Sequence, residues 1–177
     1  MNAAQIMKTI RGTSPTVVLV GNGPSACKHP FGELIDLFDE VVRFNNYYQH
    51  LKGVENFLGS KTSTWVLGEH MSGTVRPQGS EQLVRIVPQG LSKEFHADAV
   101  FLRDVNGVDA PSSGVVMASK FATLSMKIYT VGMDGYTGNR RNWWDEADED
   151  GKHHDHTQEA AFWLTHSEQV IPLEELL

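Results

Sequence analysis

Residues 142–166, NWWDEADEDGKHHDHTQEAAFWLTH, hold four of the chain's eight histidines and its densest run of acids. Two chemistries fit such a segment. In the first, one imidazole takes a proton from an attacking hydroxyl, a task suited to an ordinary pKa of about 6.5. His154 is the candidate base. Thr157 is expected to cap a helix carrying Glu159, Ala160, Ala161, Phe162 and Leu164, which leaves His154 in the loop just before it. Glu159 then anchors that loop through backbone N–H groups. In the second chemistry, His153, His154, Asp155 and His156, with Asp148 and Asp150 upstream, supply ligand types for a metal. Their spacing matches no specific zinc pattern, and acidic loops are commonly just solvated.

A second candidate site lies near the N-terminus. Thr16 to Val20 is a β-branched and aliphatic run that stops at Gly21-Asn22-Gly23-Pro24-Ser25. A buried strand running into such a turn suits a nucleotide, because glycines admit close backbone approach. A dinucleotide fingerprint fits poorly. GxGxxG needs glycine where Ala26 stands, and it wants an acid after the next strand, where Arg43-Phe44-Asn45 stands. Further on, Pro111-Ser112-Ser113-Gly114 precedes a helical run to about Met126, so Ser112 reads as an N-cap beside free N–H groups.

These residues need elements to position them. Gly32 to Phe38 reads as a helix with Leu34, Ile35, Leu37 and Phe38 on its apolar face, and Val41 to Asn45 as a strand. Strand, turn, helix and strand make a βαβ unit. Ligands sit at the carboxyl ends of such strands, so Gly21–Ser25 and Arg43–Asn45 share a rim. Further strands are expected at 63–67, 83–87, 98–102 and 128–132, and a short helix at 2–11. Residues 46–61 read as loop with a short helix, and 68–80 as a glycine-rich surface loop. The strand end at 132–134 and the helix start at 112–114 form a second rim. No repeat or linker divides the chain, so one domain over residues 1–177 is expected.

The segments also carry a family resemblance. VVLVGNGPS, then Ile35-Asp36, then FDEVVRFN, then Gly59-Ser60-Lys61-Thr62 resembles the large motif of the eukaryotic-type sialyltransferases. PSSG, a helix and YTVGMD resembles their small motif, with Ser113 for the usual Thr and Met133 for the usual Phe. Asn142-Trp143-Trp144-Asp145 resembles the third motif, with Asn142 for a usual His or Tyr. His154 to Glu159 is similar to the HxxxxE motif. The family's disulfide has no counterpart, since Ser125 stands at one of its positions. The resemblance implies an α/β/α sandwich, Rossmann-like and mostly parallel, a variant of the GT-A type. It implies transfer of an acidic sugar, sialic acid or Kdo-like, from a CMP-sugar to an acceptor hydroxyl, with inversion and without a metal or other cofactor. His154 is then the base. Gly21, Asn22, Gly23, Ser25, Arg43, Asn45, Ser112, Ser113, Gly114, Asn142 and Trp143 bind the donor or acceptor, and Asp36, Lys61 and Glu159 support them. The Asp148-Glu149-Asp150 run also resembles the DxD with which other glycosyltransferases hold a divalent ion, which keeps the metal reading open. The residue-level alternatives stay open too. Arg43 also reads as a structural partner of an acid such as Asp39, and Trp143 as a core or lid residue.

Composition narrows the classes. The chain has 177 residues, 40% of them hydrophobic and 21% charged, enough for a substantial core. A net charge of −7 disfavours nucleic acid as a partner, which requires a basic face. No run approaches the roughly 20 apolar residues of a membrane span. The first twelve residues lack the apolar core of a signal peptide. A single cysteine, Cys27, excludes an intrachain disulfide. These features imply a minimal, soluble, cytoplasmic protein whose partners are a nucleotide-sugar and a glycan or other hydroxyl acceptor. Two rivals remain: a nucleotide-binding module without transferase activity, and an NAD- or flavin-dependent oxidoreductase.

Overall fold

The computed structural model describes residues 2–12, 15–68, 82–88, 97–134, 142–143 and 156–177. Its centre is β1 (Val17–Val20), four aliphatic residues buried on both faces. A strand buried on both faces reads as a continuous apolar run, because helices cover both sides of a parallel sheet. Around it stand β2 (Glu40–Phe44), β3 (Thr64–Leu67), β4 (Gln82–Val87), β5 (Ala99–Leu102), β6 (Ile128–Val131) and β7 (Val170–Pro172). The seven strands form one sheet in the order β5-β4-β3-β2-β1-β6-β7. Every pairing is parallel, with Val17 opposite Glu40 on one side and Ile128 on the other. The architecture is the Rossmann-like α/β sheet that the strand pattern implies. The last strand was not anticipated. It is three residues long and ends in Pro172, which an edge tolerates because no outer strand needs its missing N–H.

Helices lie on both faces. Alternate side chains of β1 diverge, Val17 and Leu19 to one core and Val18 and Val20 to the other. The first core takes α4 (Ser113–Thr123), through Val115 to Ala118, and α5 (His156–Thr165), through Phe162. The second takes α1 (Ala3–Ile10), α2 (Gly32–Asp36) and α3 (Glu55–Leu58). A capping box starts α1: the Asn2 side chain accepts from the Gln5 N–H at 2.9 Å, and the Gln5 side chain accepts from the Asn2 N–H at 3.0 Å. α5 begins by His156, so Thr157 lies inside the helix and is not its N-cap. No helix among the described residues is long and apolar enough to cross a membrane.

Candidate functional site

From β1 the chain steps outward through β2 and β3 to β5, then α4 carries it back to β6 on the other side of β1. The strand order therefore reverses between β1 and β6. In open parallel sheets the crevice above such a switch point is where ligands bind. Four segments meet there: the turn after β1, the exit of β6, the first turn of α4, and residues 142–143.

Contacts between backbones knit the first two together. Gly21 N donates to Val131 O at 2.8 Å and Gly23 N to Gly132 O at 2.9 Å. Neither glycine has room for a side chain. A Cβ on Gly21 would strike the Gly132 carbonyl oxygen, and one on Gly23 would lie 2.5 Å from Asp134 Oδ2. Gly132 has a φ of +67°, a conformation open mainly to glycine. The Ser25 backbone N–H donates to Asp134 Oδ2 at 2.8 Å, and the Ser25 hydroxyl donates to Asp134 Oδ1. The N–H groups of Gly21, Gly23 and Ser25 thus face the exit of β6. The expectation from the sequence was that they face a ligand.

The first turn of α4 brings further N–H donors to the crevice. The Ser112 hydroxyl caps it, accepting from Val115 N at 3.4 Å. Ser113 and Gly114 head the helix with first-turn N–H groups, which lack intrahelical partners by construction. Met133 lies across this turn, its Sδ 3.0 Å from where a Gly114 Cβ would stand and 2.9 Å from a Gly21 Cβ. The segment before α4 is held by α5. Ser112 N donates to Glu159 Oε1 at 2.5 Å, and Glu159 is only 1% exposed. Asp109 N donates to Gln158 Oε1 at 2.5 Å, and Arg103 Nη1 to Pro111 O at 2.8 Å.

Asparagines tie the strand ends. Asn22 Nδ2 donates to Phe44 O at 3.2 Å, and Asn22 O accepts from Trp143 N at 2.8 Å. Asn45, at a φ of +53°, accepts from Gly68 N through its side chain at 3.0 Å and from Trp65 Nε1 through its carbonyl at 2.6 Å. Asn142 and Trp143 are both half-buried, and the Trp143 ring meets His50 edge-on at 6.2 Å. The sequence reading did not single out His50 or Asp134. Asp134 had a signal, being an acid at a strand end on the rim. His50 had none, because only the fold brings residue 143 to it.

Arg43 is structural, as one of its two readings had it, and not a rim residue. Its side chain is buried at 1% exposure, with Nε donating to Lys61 O at 2.9 Å and Nη2 to Leu58 O at 2.6 Å. It points into the fold away from the rim; besides the two backbone carbonyls it lies over the Tyr47 ring, 5.3 Å from Cζ to the ring centre, and the acid that favours its charge is Asp36, not Asp39. Burial pulls its pKa down to about 10, so it stays charged at neutral pH. Asp36 and Lys61 lie at the opposite edge from the switch point, where the strands begin. Asp36 accepts from Ser60 N and Lys61 N, both at 2.8 Å, and Lys61 Nζ donates to Phe38 O at 2.5 Å. Burial raises the pKa of the Cys27 thiol, which makes its nucleophilic thiolate scarcer. His154, with the other candidate metal ligands at 148–155, lies outside the described residues, as does the side chain of His156. Among the described residues no group of three or more metal-ligating side chains occurs.

Fold and crevice together define a doubly wound parallel α/β protein with its site above the β1–β6 switch point. Among solved structures, it is similar in fold to a mammalian sialyltransferase, with a TM-score of 0.59 and 15% identity over 94% of this chain and 71% of that one. A mammalian sialyltransferase in complex with Gal-beta-1-3GalNAc-ortho-nitrophenol matches equally well, with a TM-score of 0.59 and 16% identity over 94% of this chain and 72% of that one. No protein-family model matches the chain, and no curated protein sequence does.

Proposed function

We propose that the chain is a glycosyltransferase, one domain over residues 1–177. In this reading it moves an acidic sugar, sialic acid or Kdo-like, from a CMP-sugar to an acceptor hydroxyl, with inversion and without a metal. One observation carries the reading. In a fold like that of solved sialyltransferases, the four motif-like segments include a glycine turn and a capped helix start that converge on one switch point, with Glu159 gripping the latter.

The donor's phosphate sits at the first turn of α4, against the N–H groups of Ser113 and Gly114, where a helix start favours an anion. Asn22 and Asn45 border the nucleoside, and Trp143 and Asn142 close the crevice beside it. The acceptor oxygen attacks the anomeric carbon as the bond from that carbon to the phosphate oxygen breaks. The acceptor's proton passes to His154, and CMP leaves with the bonding pair. Positive charge develops on the sugar ring, and the neighbouring carboxylate is held by Ser112 and Ser113. A glycan is the expected acceptor class, as in the solved sialyltransferase complex.

Calorimetric titration with CMP, against UDP and NADH and with EDTA throughout, tests the donor class. Binding of CMP alone is expected. Binding of NADH or UDP in its place would overturn the proposal and leave an oxidoreductase or another nucleotide protein. A His154→Ala variant that still binds CMP but no longer transfers sugar is the expected second result. Retention of full transfer by that variant would remove His154 as the base.

A further inference from the structure

Opposite charges grip the two ends of one peptide, the one between Pro111 and Ser112. Its carbonyl accepts from Arg103 Nη1 at 2.8 Å, and its N–H donates to Glu159 Oε1 at 2.5 Å. Glu159 is buried, so water and salt screen its charge poorly. Its carboxylate stands at the N-cap of α4, where the helix start favours an incoming anion. An ionised acid at that point opposes a phosphate unless a cation offsets it. Arg103 is the cation on the same peptide. Its backbone is tied to the sheet just past β5, where Arg103 N donates to Val87 O at 2.6 Å. From there the half-buried side chain reaches across residues 104–110 to Pro111.

This corner carries two features that do not help the fold. Arg103 Nε is buried and meets no acceptor among the described residues, and a buried donor without a partner is destabilising. Ala110, just before the gripped peptide, has a φ of +46°, a left-handed conformation that a Cβ disfavours. A guanidinium retained with an idle donor beside a strained residue points to a use of its charge beyond packing.

We infer that Arg103 is a positioning residue for the donor's phosphate. It offsets Glu159 across the Pro111–Ser112 peptide and fixes the plane of that peptide, so that the first-turn N–H groups of Ser113 and Gly114 can receive an anion. This rests on the reading above, which puts the phosphate at the start of α4. It adds the residue that makes this helix start usable beside a buried carboxylate. Arg103 acts through the peptide and does not itself touch the phosphate. Backbone dimensions put its charge about 8 Å from an anion on the first turn. Losing a unit charge at about 8 Å, with an effective dielectric of about 30, weakens anion binding about tenfold.

The test is calorimetric titration of cytidine and CMP into wild type, Arg103→Gln, Arg103→Lys, Glu159→Gln and the double variant Arg103→Gln/Glu159→Gln, with folding checked by circular dichroism. Arg103→Gln keeps a donor for Pro111 O and loses the charge. It is expected to bind CMP about tenfold more weakly, with cytidine affinity unchanged. Arg103→Lys keeps the charge and is expected to stay within about threefold of wild type for CMP. The double variant removes the acid that Arg103 offsets, and most of the lost CMP affinity should return. A merely structural role would move both ligands together, and the second substitution would weaken binding further. Glu159→Gln alone should tighten CMP severalfold, and it carries the test if the Arg103→Gln proteins do not fold. Equal changes for cytidine and CMP, a double variant no better than Arg103→Gln, or no tightening in Glu159→Gln overturns the inference and leaves the transferase reading standing. Failure of wild type to bind CMP sinks both.

Discussion

Replacing Gly21 by alanine tests how the two halves of the crevice are joined. A Cβ on Gly21 would strike the Gly132 carbonyl oxygen, 2.8 Å from its carbon and 2.9 Å from Met133 Sδ. The methionine can swing aside, since its thioether is flexible. The carbonyl cannot move freely, because it accepts from Gly23 N at 2.9 Å and belongs to the residue that follows β6. Overpacking of this kind costs roughly 1–3 kcal/mol, and loss of the Gly23 hydrogen bond adds about 1 kcal/mol. About 3 kcal/mol in total corresponds to a fall in Tm of roughly 6–12 °C for a chain of this size. Urea denaturation followed by circular dichroism, with thermal melts alongside, measures it. Gly12→Ala is the control, because a Cβ there meets nothing within 4 Å. That variant should match wild type or gain a few tenths of a kcal/mol, about what a freer unfolded chain implies. A Gly21→Ala protein with the wild-type urea midpoint would refute the close approach of the turn to β6.

Three further outcomes are expected. Glu159→Ala removes a buried acceptor from Ser112 N and should cost about 2–3 kcal/mol in urea denaturation, while Glu159→Gln, which keeps an acceptor oxygen, should cost about half as much; equal stability of both variants with wild type would rule out the clamp. Arg43→Met strands Leu58 O and Lys61 O and should destabilise by about 3 kcal/mol, yet leave CMP affinity of the folded protein unchanged; a selective loss of CMP binding with stability intact would return Arg43 to the rim. The Thr16 N–H and hydroxyl hold the Asp39 carboxyl below the usual carboxylate range. A carboxyl lowered in the fold adds stability above its unfolded pKa of about 3.9 and loses it as pH falls through the folded value. Asp39→Asn should therefore unfold at lower urea than wild type at neutral pH, with the gap closing below about pH 4. The gap should be small, because the Asp39 side chain is half exposed. A gap that does not narrow as the pH falls below about 4 would contradict this origin.

Much of the sheet is legible in the sequence because burial on both faces demands unbroken β-branched and aliphatic runs. Val17–Val20, Glu40–Phe44, Thr64–Leu67 and Ile128–Val131 stand within a residue or two of their expected places. The start of α4 is legible too, since Ser112 is a capping residue by chemistry and caps here by geometry. β7 escaped notice, because three residues ending in proline carry no periodic signal. Position 43 misled for a related reason. An arginine at the end of an apolar run looks like a rim residue, but alternation along β2 turns its side chain to the same face as Val41, under α3.

What the sequence determines by itself is which segments can be strands, where the turns must fall, and that Gly21 and Gly23 sit where a backbone has to approach something closely. It does not say what that something is. Only the tertiary structure decides that the neighbour of Gly21 is Gly132 and that the anion over Gly23 is Asp134, residues more than a hundred positions away. The physical reason is the reversal of strand order. The sequence encodes local propensity, whereas the neighbour of β1 is chosen by the path of α4 across the sheet, and that path is fixed by burial of a whole helix face against many strands at once.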